Sequence, residues 1–179
     1  MHVFTSGDEA ELLLNGKSLG RRKKAAYEYR LRWDDVVYAP GELKVVAYKN
    51  GKRWAEEVVR TSGEAASLKL TADRTAVEAT GDDLVFLTAQ LTDKNGLLVP
   101  NAKNKILFSI EGPGEIVATD NGDATNLESF ASPEREAFNG KCLVIVRGKK
   151  GQAGTIRLKA QASGLEEAVI SLKSVQRKF

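Results

Sequence analysis

Cysteine and histidine are almost missing from this chain of 179 residues, which has one of each, Cys142 and His2. A single cysteine excludes an internal disulfide, and zinc sites built on paired Cys or His spacings have no ligands to draw on. A thiol nucleophile needs a neighbouring base. His2 lies at the N-terminus, and Cys142 sits in the apolar run KCLVIV, where a cysteine behaves as a small buried hydrophobe. Proline is scarce (4 residues), and no apolar run approaches the roughly 18 residues of a spanning helix. The opening residues MHVFTSG lack the basic-then-apolar pattern of a secretion signal, so the address of an exported parent is expected upstream.

Excess charge of one sign is also missing. The net charge is +3, and it comes from residues 1–63, with twelve Lys/Arg against nine Asp/Glu; residues 64–179 carry fifteen of each. The run Arg21-Arg22-Lys23-Lys24 reads as a solvated turn. A nucleic-acid surface needs more positive charge and a recognisable motif, so no nucleic-acid partner is expected. Glycine-rich phosphate cradles and nucleophile elbows are absent, and no cofactor is expected.

What is present is strand periodicity. Tyr27, Tyr29, Leu31 and Trp33 alternate with Glu28, Arg30 and Arg32, predicting a strand with one apolar and one charged face. Leu43, Val45 and Ala47 repeat the alternation, and Asn50-Gly51 offers a tight hairpin into a returning strand over 53–61. Ala10–Leu14 is a further short strand closed by Asn15-Gly16. Small residues collect around 61–66, which places a junction there and gives domains 1–63 and 64–179, abutting with restricted freedom. In the second part, Leu84–Thr92 reads as a strand buried on both faces. Asp93-Lys94-Asn95-Gly96 is a turn, and Ile106, Phe108 and Ile110 alternate. Residues 141–147, 155–162 and 168–175 complete seven or eight strands. Glu134–Phe138 is the one place where a helical turn is expected, inside a long polar stretch from Asp120 to Gly140. The fold class is therefore all-β: two immunoglobulin-like β-sandwich domains in tandem, the first with too few strands for a full sandwich.

Within the second part, LKLTADRT (68–75), LTAQLTDKNG (87–96), VPNA (99–102) and GTIRLKAQASG (154–164) resemble the invasin and intimin type of bacterial immunoglobulin-like module. The whole chain more specifically resembles the C-terminal region of glycoside hydrolase family two, the β-galactosidase-like group of polysaccharide-degrading bacteria. The carrying motifs are VFTSGDEAELLLNGKSLG (3–20), YRLRW (29–33), PGELKVVAY (40–48), DNGD (120–123) and AFNGKCLVIV (137–146). The resemblance implies a bacterial parent, periplasmic, secreted or at the cell surface, that cleaves glycosides with two glutamates on a (β/α)₈ barrel. Nothing here has that barrel's length or its alternation of strands with helices. Family members enter the Val3-Phe4-Thr5 strand from an earlier strand, which implies an unpaired edge beside it.

No catalytic residue is expected in this chain. Retaining glycosidases need two carboxyl groups about 5–5.5 Å apart, and the neighbouring Glu56 and Glu57 point to opposite faces of a strand. The remaining candidates are contacts to other domains or to ligand. Asp120, Asn121 and Asp123 read as a turn or interdomain contact, with calcium as the sharper alternative, although the spacing supplies too few oxygens for an EF-hand. Trp33 reads as core. Trp54, after a hairpin, is a partly exposed candidate for stacking on sugar. Arg135 and Asn139 are polar groups of the long loop, placed either to dock on the catalytic barrel and other domains of the parent polypeptide or simply to meet solvent. The expected role is a non-catalytic scaffold region of a β-galactosidase-like enzyme of carbohydrate degradation; the alternative is an independent carbohydrate-binding or adhesion module.

Overall fold

The computed structural model describes residues 1–176, and all their regular structure is β. The chain divides into two compact units, Met1–Thr61 and the remainder from Ser62.

The first unit contains β1 (His2–Phe4), β2 (Glu9–Leu14), β3 (Lys17–Lys23), β4 (Arg30–Arg32), β5 (Glu42–Lys49) and β6 (Lys52–Arg60). Four of these form an antiparallel sheet in the order β3-β2-β5-β6, and β1 pairs with β4 in a separate two-stranded sheet. The short connections follow from local chemistry. Asn50 and Gly51 take φ of 52° and 74°, the left-handed pair that a two-residue hairpin requires. Ala10, Leu12, Leu31 and Trp33 form the buried core between the two sheets. The Trp33 indole N–H is satisfied by the Gly20 carbonyl at 3.3 Å.

Two expectations are corrected in this unit. The strand predicted from Tyr27 shrinks to residues 30–32, because Tyr27 adopts a left-handed φ of 67° that breaks the alternation. Tyr27 and Tyr29 consequently face solvent, and only Leu31 and Trp33 reach the core. The basic run belongs to a strand and the residue after it, not to a turn. Arg21 pairs with Glu9 at 2.6 Å, and Lys24 donates to the Thr5 carbonyl at 2.8 Å.

The second unit contains β7 (Ser67–Ala72), β8 (Ala76–Glu78), β9 (Leu84–Thr92), β10 (Lys105–Glu111), β11 (Gly114–Asp120), β12 (Glu134–Glu136), β13 (Lys141–Gly148), β14 (Gly154–Gln161) and β15 (Ala168–Val175). One sheet runs β11-β13-β9-β7 and the other β12-β10-β14-β15-β8, with β8 parallel to β15 and the remaining pairs antiparallel. Val85, Leu87, Ala89 and Leu91 of β9 face Ile106, Phe108, Ile156 and Leu158 of the opposite sheet within one apolar cluster. β9 was expected to be buried on both faces, but Phe86 and its neighbours on the other face are exposed or half-buried, so it is a one-sided strand.

The turn at Asp93 is built on a carboxylate. Asp93 Oδ1 accepts from the backbone N–H of Asn95 (2.8 Å) and Leu97 (2.9 Å), and Oδ2 accepts from Gly63 (2.8 Å). These donors, with Gly63 foremost, hold the Asp93 carboxyl below its ordinary pKa. The predicted helical turn at Glu134–Phe138 is instead the edge strand β12, whose register sets Arg135 opposite Ile106 on β10. That register turns Arg135 inward, at a position that side-chain identity alone would assign to solvent.

Candidate functional site

The long polar stretch becomes a loop of residues 121–133 between β11 and β12, and it is organised from inside by Arg135. This side chain is 1% exposed. Its Nε donates to Thr119 Oγ1 (3.2 Å), Nη1 to Asn126 Oδ1 (3.2 Å) and the Glu128 carbonyl (3.0 Å), and Nη2 to the carbonyls of Thr119 (2.8 Å) and Ser129 (2.7 Å). All five guanidinium N–H groups are thereby used. The Glu128 carboxylate stands 4.0 Å away as its countercharge. Arg135 is therefore not the exposed loop group that its sequence context suggests. Its donors go to the loop and to Thr119 near the end of β11, and nothing of the guanidinium is left to reach outward.

The acidic turn is likewise engaged in its own backbone. Asp120 Oδ1 accepts from the N–H of Asn121 (2.7 Å) and Gly122 (3.2 Å), and Asn121 Oδ1 accepts from Asp123 (3.0 Å). Asp123 Oδ1 accepts from the backbone and hydroxyl of Thr125 at 2.9 and 2.8 Å, which lowers its pKa. Asn121 Nδ2 ties the turn to the Glu136 carbonyl at 2.9 Å. Among the described residues no group of three or more His, Cys, Asp or Glu is placed to hold a metal. Asn139 has a left-handed φ of 50° and, with Gly140, makes the hairpin in which Phe138 and Lys141 exchange backbone bonds at 3.0 Å. Its role there is conformational. Asp120, Asn121, Asp123 and Arg135 thus come together around one loop, with Asn139 in the adjoining hairpin and Trp54 in the other unit.

Exposed apolar groups mark the surface of both units. Loop 121–133 presents Leu127, 98% exposed, and Phe130. In the first unit Phe4 and Tyr29, 67% and 68% exposed, stack with ring centroids 6.3 Å apart. Trp54 is 55% exposed, donates to Ser6 Oγ at 3.1 Å and carries Lys49 Nζ 4.8 Å from its ring centre. A groove of roughly 500 Å³ runs between β1 and the inner face of β5 and β6, lined by Val3, Phe4, Leu43, Val45, Glu57 and Val59 among others. Alternation with Leu31 and Trp33 suggests burial for Tyr29, so no local signal marks it as a surface residue. The groove depends on how many strands cover β6, which no local pattern reveals.

The carboxylates on β6 diverge as alternation requires. Glu56 pairs with Lys44 at 2.9 Å and with Arg53, and these cations hold its pKa below the ordinary value, the Lys44 hydrogen bond foremost. Alternation turns Glu57 to the opposite face, and both residues border the groove. Cys142 is buried, and its thiol faces the carbonyls of Arg135 and Glu136 at 3.7 Å. Burial pushes its pKa up to about 12, so the nucleophilic thiolate is suppressed.

Comparison with known proteins fits this architecture. Residues 68–171 match the family described as glycoside hydrolase family 2 C-terminal domain 5, and residues 1–55 match a domain of unknown function, DUF4982. The β-galactosidase BoGH2A of Bacteroides ovatus is 38% identical over 171 residues, covering 96% of this chain and 20% of that protein. A β-glucuronidase of Formosa agariphila is 27% identical over 182 residues, covering 100% of this chain and 18% of its own length. The crystal structure of a glycosyl hydrolase family 2 member from Bacteroides cellulosilyticus superposes with a TM-score of 0.93 at 33% identity, over 98% of this chain and 22% of that one. The chain thus spans about a fifth of the length of the relatives it matches. A likeness to an intimin fragment, at 16% identity and a TM-score of 0.43, is too slight to argue from. With more than half its length matched by the family's C-terminal domain, the chain belongs to glycoside hydrolase family 2.

Proposed function

We propose that residues 1–179 are a non-catalytic accessory region of a β-galactosidase-like glycoside hydrolase, stabilising and positioning the domains that carry the chemistry. The observation that carries this reading is coverage: 96% of the chain is accounted for by 20% of a β-galactosidase. The side chains support it. Glycoside cleavage needs an acid and a second carboxylate converging across the bond, whereas Glu56 and Glu57 diverge and Asp93, Asp120 and Asp123 are occupied by backbone donors. The parent's substrate is a β-galactoside on this reading, and its place is the periplasm, the medium into which it is secreted, or the cell surface. Full-length parent should hydrolyse nitrophenyl β-galactoside and lose thermal midpoint when residues 1–179 are deleted. A parent indifferent to the deletion in both activity and midpoint contradicts the accessory role.

A second reading, an independent carbohydrate-binding module, draws on the exposed Phe4–Tyr29 stack and on Trp54, since aromatic faces suit sugar rings. Titration of the chain with galactosides and polysaccharides, followed by Trp fluorescence and by calorimetry, separates the two. Saturable binding favours the module, and a flat response favours the scaffold.

A further inference from the structure

We propose that Asn50 is a site of self-modification. Its side-chain amide is converted to aspartate and isoaspartate, by attack of the Gly51 backbone nitrogen and then hydrolysis by water, ahead of every other asparagine in the chain.

The chain holds five Asn-Gly pairs, at 15–16, 50–51, 95–96, 121–122 and 139–140. In each, the glycine nitrogen can attack the asparagine Cγ, and glycine has no Cβ to shield the path. The N–Cγ bond forms, the Cγ–Nδ2 bond breaks, and the proton lost by the glycine amide leaves on the departing ammonia. Water then opens the cyclic imide at either carbonyl, giving aspartate or isoaspartate. The only co-reactant is water. Two conditions decide the rate: the side-chain amide must be free to swing, and the glycine N–H must be free to lose its proton. Asn101, Asn104 and Asn126 precede Ala102, Lys105 and Leu127, whose side chains obstruct the attack.

Asn15 and Asn50 are a matched pair. Their turns share a conformation, with φ of 51° and 78° at residues 15 and 16 and of 52° and 74° at residues 50 and 51. All four residues are exposed, so the cost of leaving this conformation is common to both turns. The side chains differ. Asn15 Oδ1 accepts from the Glu42 N–H at 2.7 Å, and its Nδ2 donates to the Pro40 carbonyl at 3.0 Å. Asn50 is engaged through its backbone N–H alone, by Asp8 Oδ2 at 2.7 Å, and its side-chain amide has no partner among the described residues. The Gly51 N–H is likewise unbonded, and a Cβ at Gly51 would meet nothing within 4 Å.

The remaining pairs fail one condition or both. Asn121 accepts from Asp123 and donates to the Glu136 carbonyl, while the Gly122 N–H is held by Asp120 Oδ1 at 3.2 Å. The Gly96 N–H donates to the Asp93 carbonyl at 2.9 Å. Gly140 is buried, its Cβ position 2.3 Å from the Val99 carbonyl oxygen, so its nitrogen is screened from the base that must take its proton. Charge favours the same choice. Lys49 and Lys52 face each other across the Asn50 turn, against the single carboxylate of Asp8. Like charges so placed are unfavourable, and they stabilise both the deprotonated Gly51 amide and the new carboxylate. The Asn15 turn is flanked by Leu14 and Lys17, with one cation in place of two.

The test incubates the folded chain of residues 1–179 in mildly alkaline water labelled with heavy oxygen. The chain is then cut after glutamate in ordinary water and mapped by mass spectrometry. Such cleavage places Asn15 in 12–28, Asn50 in 43–56, Asn95 in 79–111, Asn121 in 116–128 and Asn139 in 137–166. Heavy oxygen in the product marks conversion during the incubation and not during digestion. Asn50 should convert about tenfold faster than Asn15 or more, since two hydrogen bonds must open before Asn15 can react. It should also lead Asn95, Asn121 and Asn139, and in denaturant the five rates should draw together. Any other asparagine keeping pace with Asn50 in the folded chain overturns the site. So does an Asn50 that stays intact when folded yet converts when unfolded. A lead that denaturant leaves unchanged overturns the structural cause, and aspartate without isoaspartate overturns the cyclic route.

Discussion

Arg135 is the side chain on which the second unit's long loop depends. Its five donors satisfy Thr119, Asn126, Glu128 and Ser129 from a position that is 1% exposed. Replacing it with Met removes the donors and leaves buried carbonyls unpaired, which should cost about 3 kcal/mol or more. Arg135→Lys should restore little, because an ammonium cannot reproduce the planar fork. Urea unfolding measures the loss, and amide exchange should show residues 121–133 opening before the sheets. The sequence Glu134-Arg135-Glu136 looks like solvated polar chain, and the inward turn of Arg135 depends on partners 6 to 16 residues away. Asp120, Asn121 and Asp123 show the opposite case, since the bonds their side-chain oxygens accept come from only one or two residues along the chain, and Asn121 alone reaches farther, to Glu136. Cys142 was legible too, from its apolar run. With its pKa pushed up to about 12 by burial, it should stay unreactive toward a thiol reagent at pH 8 and react fully once the chain is unfolded.

At the scale of elements, strands and tight turns followed from local pattern wherever local chemistry governed them. Asn50-Gly51 and the Asp93 turn are examples. The failures lie where the backbone departs from its neighbours' pattern: Tyr27 in a left-handed conformation, and β12 as a short edge strand held by β10. The Asp93 turn carries a pH prediction. Its carboxyl is held below the ordinary value by the N–H groups of Gly63, Leu97 and Asn95. Its contribution to stability is therefore complete above the unfolded pKa of about 3.9 and lost as the pH falls through the lower folded value. Asp93→Asn should lower the thermal midpoint at pH 7 and flatten the acid limb of the stability profile relative to the parent sequence. The Asn139-Gly140 hairpin carries another. A Cβ on Gly140, at φ of 72°, would stand 2.3 Å from the Val99 carbonyl oxygen. Gly140→Ala should therefore destabilise the second unit by about 1–3 kcal/mol, read by chemical denaturation.

For the molecule as a whole, two compact β units with divided sheets leave the chain's carboxylates scattered among ion pairs, turns and a groove. Alternation and turn residues made the all-β class readable, and ordered motifs made the family readable. The open groove was not readable, since it follows from the number of strands that cover β6. The accessory reading is tested most directly by steady-state hydrolysis of nitrophenyl β-galactoside with the purified chain of residues 1–179. The rate should equal the enzyme-free background at every substrate concentration. Saturable turnover that rises in proportion to the amount of chain and persists through repeated purification would contradict it.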